Sequence, residues 1–155
     1  MRNGHYRKEV RAKQVQVYID ANDVPQGFIF STESLKEVKI AKDNLSRVDF
    51  GLTTQSGIYG AIFYDKNQNG KPDPGDIFIP RVNMVLDGQV TVASDSEGTY
   101  SFNNTTPGKH TLTIDVNSIP LEYLPAVKIK NEIDLSEGTT YIFHVLLNKN
   151  SRPQE

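Results

Sequence analysis

The chain is predicted to be all-β. Apolar residues do not recur at helical spacing, and short alternating runs bounded by Gly, Pro, Asn and Asp follow one another from end to end. The chain also matches itself at an offset of 95 residues, and the apolar alternation is kept across the match.

In order, the predicted strands are QVQVYID (14–20), EVKIA (37–41), SRVDFGL (46–52), GIYGAIFYD (57–65), VNMVLD (82–87) and VTVAS (90–94). They continue with TYSFN (99–103), HTLTIDV (110–116), a weaker AVKI (126–129), NEIDL (131–135) and TYIFHVLL (140–147). Only TESLK and NSIPLEY could form a helical turn. The self-match lays residues 17–25 on 112–120 and 47–52 on 142–147, with Asp20/Asp115, Asn22/Asn117, Pro25/Pro120 and Leu52/Leu147 identical. One residue out of that register, Gly4-His5-Tyr6 matches Gly98-Thr99-Tyr100.

The expected organisation is therefore the closing half of a repeat over 1–54, a complete repeat over 55–148 and a disordered tail over 149–155. Half a sandwich cannot cover its own apolar face, so something must complete it. Neighbouring sequence, the intact repeat or a strand-exchanged second copy of the chain could do so.

Seventeen basic against 19 acidic side chains give a formal charge of −2, and no field of one sign draws the 155-residue chain to nucleic acid or an anionic membrane. The absence of cysteine excludes disulfides, thiolate zinc sites and a cysteine nucleophile. No stretch approaches a membrane span, and the first residues carry no apolar export signal.

The most informative stretch is DKNQNGKPDPGD, residues 65–76. Asp65, Asn67, Asn69, Gly70, Lys71, Asp73 and Asp76 fall on positions 1, 3, 5, 6, 7, 9 and 12 of a calcium loop. Side-chain oxygens at 1, 3 and 5 converge as the chain curls, Gly70 permits the sharp turn, and Lys71 offers only its carbonyl. Pro72 biases Lys71 away from the helical region and removes the amide that paired helix-loop-helix sites use. The preceding run reads as a strand, so the loop is mounted on a sheet. Carboxylates about 4 Å apart repel by about 1 kcal/mol per pair in water and about 4 kcal/mol near a protein surface, and a divalent ion reverses the sign. Asp76 is a methylene shorter than the usual glutamate at position 12, which points to a weaker calcium site or one that tolerates magnesium.

Taken together, SGIYGAIFYDKNQNGKPDPGD, IPRVNMVLDG and SDSEGTYSFNNTTPGKHTLTID resemble the B-type repeat domains of serine-aspartate repeat surface adhesins. They resemble more distantly the collagen-adhesin B-type and carboxypeptidase-regulatory-like domains. The likeness covers residues 57–147, with 4–52 as a half copy. It implies an immunoglobulin-like (prealbumin-like) β-sandwich, calcium bound for rigidity, and service as a spacer in a secreted or surface-attached bacterial protein, beside neighbouring repeats. Some related domains carry a Lys–Asn isopeptide bond, but the opening strand here has no lysine, so that crosslink is not expected.

The remaining polar residues have structural readings. Asp20 and Asp115 are expected to cap backbone amides, Asp95 and Glu97 to form a hairpin turn closed by Gly98, and Tyr100 and Phe102 to pack in the core. His144 is expected at the surface, His110 at a strand start and His5 near a fraying terminus, and nothing places a serine and a carboxylate together beside any of them for a hydrolytic triad. The sequons NLS and NNTT decide nothing without the host. The sequence thus predicts a non-enzymatic, calcium-stabilised structural module. The alternatives are an adhesive module for a glycan or host protein and an accessory domain of a larger exported enzyme.

Overall fold

The computed structural model describes residues 8, 11, 13–42 and 44–151. The match at Gly4–Tyr6, His5, and residues 152–155 of the expected tail lie outside the described residues. The chain divides into two compact units, Met1–Thr53 and Thr54–Glu155.

The first unit contains β1 (Gln14–Tyr18), a 3₁₀ turn at Ala21–Asp23, β2 (Phe28–Phe30), β3 (Leu35–Lys39) and β4, which begins at Leu52 and ends at Thr54. β1 pairs antiparallel with β3, and β2 pairs with β4. TESLK is not helical, because its last two residues already belong to β3. Residues 46–51 are irregular, and the strand predicted there starts only at Leu52.

The second unit runs β5 (Ser56–Tyr64), β6 (Ile77–Phe78), β7 (Asn83–Leu86), β8 (Val90–Ala93), β9 (Thr99–Thr105) and β10 (Gly108–Ile114). A 3₁₀ turn at Val116–Ser118 follows, then β11 (Tyr123–Pro125), β12 (Lys130–Leu135), β13 (Thr140–Ile142) and β14 (Val145–Lys149). One sheet has the order β12-β10-β7-β8; in the other, β5 is central, with β13 and β14 parallel on one side and β9 and β6 antiparallel on the other. Alternate residues of both sheets meet in a single apolar core. Met84, Leu86, Leu112, Ile114, Ile133 and Leu135 come from the first sheet and Ile58, Ile62, Tyr100, Phe102, Val145 and Leu147 from the second. This is the β-sandwich that the alternation predicted.

Three sequence expectations shift here. Residues 126–129 are not a strand, and β11 lies just before them. The run 140–147 is broken at Phe143-His144. At the far end β14 continues through Lys149, and the Asn150 amide donates to the Glu122 carbonyl (2.8 Å), past the point where disorder was expected.

The 95-residue offset reappears in the backbone. The 3₁₀ turns at Ala21–Asp23 and Val116–Ser118, and the short strands Phe28–Phe30 and Tyr123–Pro125, correspond residue for residue. Val17 faces Lys36 as Leu112 faces Asn131. Bonds from Ile19 N to Ser34 O and from Ser31 N to Gly51 O recur as Ile114 N to Ile129 O and Ala126 N to Leu146 O.

Candidate metal centre

β5 is buried on both faces from Gly60 to Phe63, so the loop that leaves its end at Asp65 starts from a fixed point. The loop closes at Asp76, directly before β6, which pairs back onto β5. Asp65 is buried, at 7% exposure. Its Oδ1 accepts from the Gln68 amide (2.7 Å) and its Oδ2 from the Gly70 amide (2.6 Å). Gly70 has φ of 76°, the left-handed conformation that glycine adopts without strain and that the sixth loop position requires.

Asn67 and Asn69 use their carbonyl oxygens on the amides two residues ahead, at 3.0 and 2.8 Å, and turn their NH₂ groups to Asp73. These two amide donors hold the Asp73 carboxyl below its ordinary range. Asp76 accepts from the amides of Lys66 and Asp73, both at 3.0 Å. The spacing therefore does bring Asp65, Asn67, Asn69, Asp73 and Asp76 into one hydrogen-bonded loop, together with Lys71. Among the described residues, however, no three acidic or histidine side chains gather tightly enough to hold a metal as they stand. The physical reason is visible in the bonds: each carboxylate is engaged by N–H donors.

The donor set still fits a hard cation. Every side chain offered is a carboxylate or an amide, and oxygen is what calcium and magnesium take. No salt bridge to Asp65, Asp73 or Asp76 occurs among the described residues, where the ion pairs are Arg47–Asp49 and His110–Asp87.

Asp20 and Asp115 cap as expected, accepting from Asn22 N (2.9 Å) and Asn117 N (3.1 Å). Asp95 closes its hairpin by accepting from the amides of Glu97 and Thr99 and from the Thr99 hydroxyl. Tyr100 and Phe102 are buried at 3% exposure each. Tyr100 Oη also donates to the Phe143 carbonyl (2.6 Å), and burial, followed by Tyr141, pushes its pKa up.

His144 departs from expectation. It is half-buried, its Nδ1 accepts the Ala61 amide (3.1 Å), and its ring packs edge-on against Phe63 at 6.4 Å. Burial lowers its pKa. Unbroken apolar alternation through 140–147 hid this role, because the break between β13 and β14 is invisible in residue type. His110 opens β10 nearly as predicted and sits beside Asp87, 2.7 Å from Nδ1, with the Thr106 carbonyl 2.8 Å from Nε2. Both neighbours accept, so the ring satisfies both only when protonated. The buried hydroxyls of Ser56 and Ser94 bond backbone groups: Ser56 the Ser136 carbonyl and Gly138 amide, Ser94 the Ile79 carbonyl and Val82 amide.

Among solved structures, the chain is similar to a minor pilin of the Gram-positive pathogen Streptococcus agalactiae, with a TM-score of 0.51 at 12% identity over 86% of this chain and 65% of the pilin chain. The chain has the immunoglobulin-like β-sandwich fold of such pilins. It is also similar to the major pilin subunit of Bacillus cereus, at a TM-score of 0.47 and 15% identity, covering 90% of this chain and 56% of that one. Among curated proteins it is 32% identical over 94 residues to Colossin-A of Dictyostelium discoideum, a match that spans 56% of this chain and 1% of that protein. No family model matches the chain. No helix among the described residues is long and apolar enough to cross a membrane.

Proposed function

We propose that the chain is a non-catalytic structural spacer of a secreted or surface-attached bacterial protein, stiffened by calcium in the loop 65–76, with magnesium tolerated. Asp65, Asn67, Asn69, Asp73 and Asp76, with the carbonyl of Lys71, hold the ion. The observation that carries the reading is the mounting of Asp65: a buried carboxylate at the end of the central strand, without a basic partner among the described residues. Likeness to pilins in fold supports the spacer role. The apolar filling of the sandwich supports it too, since its side chains are committed to packing and its buried serines to backbone.

An ion that binds only the folded state adds about 2.7 kcal/mol when its free concentration exceeds the dissociation constant about a hundredfold. For a domain of this size that raises Tm by roughly 10 °C. Calorimetry in millimolar calcium and in chelator is the test, with the higher Tm expected in calcium. Identical transitions in the two conditions would refute the stiffening role.

A further inference from the structure

The correspondence between the two units shows which strands of the second have no counterpart among the described residues of the first. In the second unit, β10 has β12 on one edge and β7 on the other, and β14 lies between β11 and β5. Among the described residues, the equivalent strands have one neighbour each: β1 pairs with β3, and β4 with β2. The side chains follow the strands. Leu112, Ile114, Val145 and Leu147 are at most 1% exposed. Their counterparts Val17, Ile19 and Phe50 are only half-buried, and Leu52 is 40% exposed. Phe28 is 43% exposed where its counterpart Tyr123 is 8%. Among the described residues, all members of the apolar core cluster lie between Ile58 and Leu147.

We propose that the first unit is an acceptor for a polypeptide segment with the strand pattern of β5 to β8. The segment lays one strand parallel to β4 and another antiparallel to β1, and so closes a second sandwich. Its register is that of Ile62 beside Val145 and Leu86 beside Leu112, and its apolar residues alternate as Ile58, Ile62, Met84 and Leu86 do. Backbone hydrogen bonds to two open strand edges supply attachment, and burial of Val17, Ile19, Phe28, Phe50 and Leu52 supplies the driving force. The occupant is not a second copy of this chain. In such a copy the matching residues are already enclosed, at 6% exposure or less, and freeing them would open its own core. The inference is independent of any ion in the loop.

The test uses the full chain extended by a second copy of residues 56–95 placed directly before Met1, which restores the repeat spacing. The expected result is slowing of amide exchange in β1 and at Leu52 by on the order of a hundredfold relative to the unextended chain. A shuffled extension of the same composition gives no such slowing. Phe50→Asp in the extended chain abolishes the protection while the exchange of β5 and β10 stays unchanged, which shows that the second unit is folded. Exchange in β1 unaltered by the true extension would overturn the proposal. So would a concentration-dependent dimer of the unextended chain that protects the same amides.

Discussion

At Gly60 the backbone of β5 passes beneath the Phe143 carbonyl, and a Cβ there would lie 1.8 Å from that oxygen and 2.7 Å from the Tyr100 ring. Both neighbours are fixed, the carbonyl by the Tyr100 hydroxyl and the ring by the core. Gly60→Ala is therefore expected to destabilise the second unit by about 3 kcal/mol, read from the shift in the denaturant midpoint. One residue further along, the parallel ladder between β5 and the last strands is interrupted. The imidazole of His144 takes the Ala61 amide there (3.1 Å), in place of a backbone carbonyl. His144→Ala strands that amide and is expected to cost about 1–3 kcal/mol, by the same measurement. Neither role could be read from residue type. Gly60 lies within an apolar run like any strand glycine, and His144 occupies a position that strict alternation assigns to solvent.

Elements that carry their own periodicity were legible: β5, β7, β8, β9, β10 and β12 fall within a few residues of where alternation and turn residues put them. The two- and three-residue strands β2, β6 and β11 were not, because so short a segment is defined by the strand beside it and not by its own pattern. The run over 126–129 misled for the converse reason: Val127 and Ile129 are β-branched, but the segment bonds β14 at Ala126 and β10 at Ile129 and pairs along neither. The loop 65–76 was legible as a spacing, and the structure adds the interactions that hold it together. Asp65 receives two backbone amides, so its loss acts even without metal. Asp65→Ala is expected to loosen the loop by about 1–3 kcal/mol in chelator through the two orphaned amides. Asp65→Asn keeps a side-chain acceptor but lowers the charge offered to a cation. It satisfies only one of the two amides, so it is expected to cost less in chelator than Asp65→Ala without being neutral, and to lose most of the calcium-dependent rise in Tm. Calorimetry of both variants, with and without calcium, separates the scaffold role of the carboxylate from its proposed role as a ligand.

Across the second unit as a whole, two histidines place opposite demands on pH. His144 is held neutral by burial, so its folded pKa lies below the ordinary 6.5. The stability linked to it is fully present above that value and is lost as pH falls through the folded pKa. For His110, burial favours the neutral ring, but the hydrogen bonds to Asp87 and the Thr106 carbonyl, with the charges of Asp87 and Asp134, outweigh it and raise the pKa above 6.5. Its contribution is fully present below 6.5 and is lost as pH rises through the folded pKa. The Asp87 carboxyl opposes its own burial and is lowered by His110 and the Thr111 amide, so the pair stays charged well into the acid range. The two windows adjoin at the ordinary imidazole pKa and do not offset each other, so the midpoint of the intact protein is expected to be highest near pH 6.5 and to fall on either side. Substitution should uncover each in turn. In His144→Ala the remaining linkage is that of His110, and the denaturant midpoint should fall as pH rises above 6.5. In His110→Ala the His144 linkage remains, and the midpoint should fall as pH drops below 6.5. Denaturant titrations of the three proteins from acid to mildly alkaline pH check this. Parallel pH profiles for the two variants would mean that the imidazoles do not sit in these opposed environments.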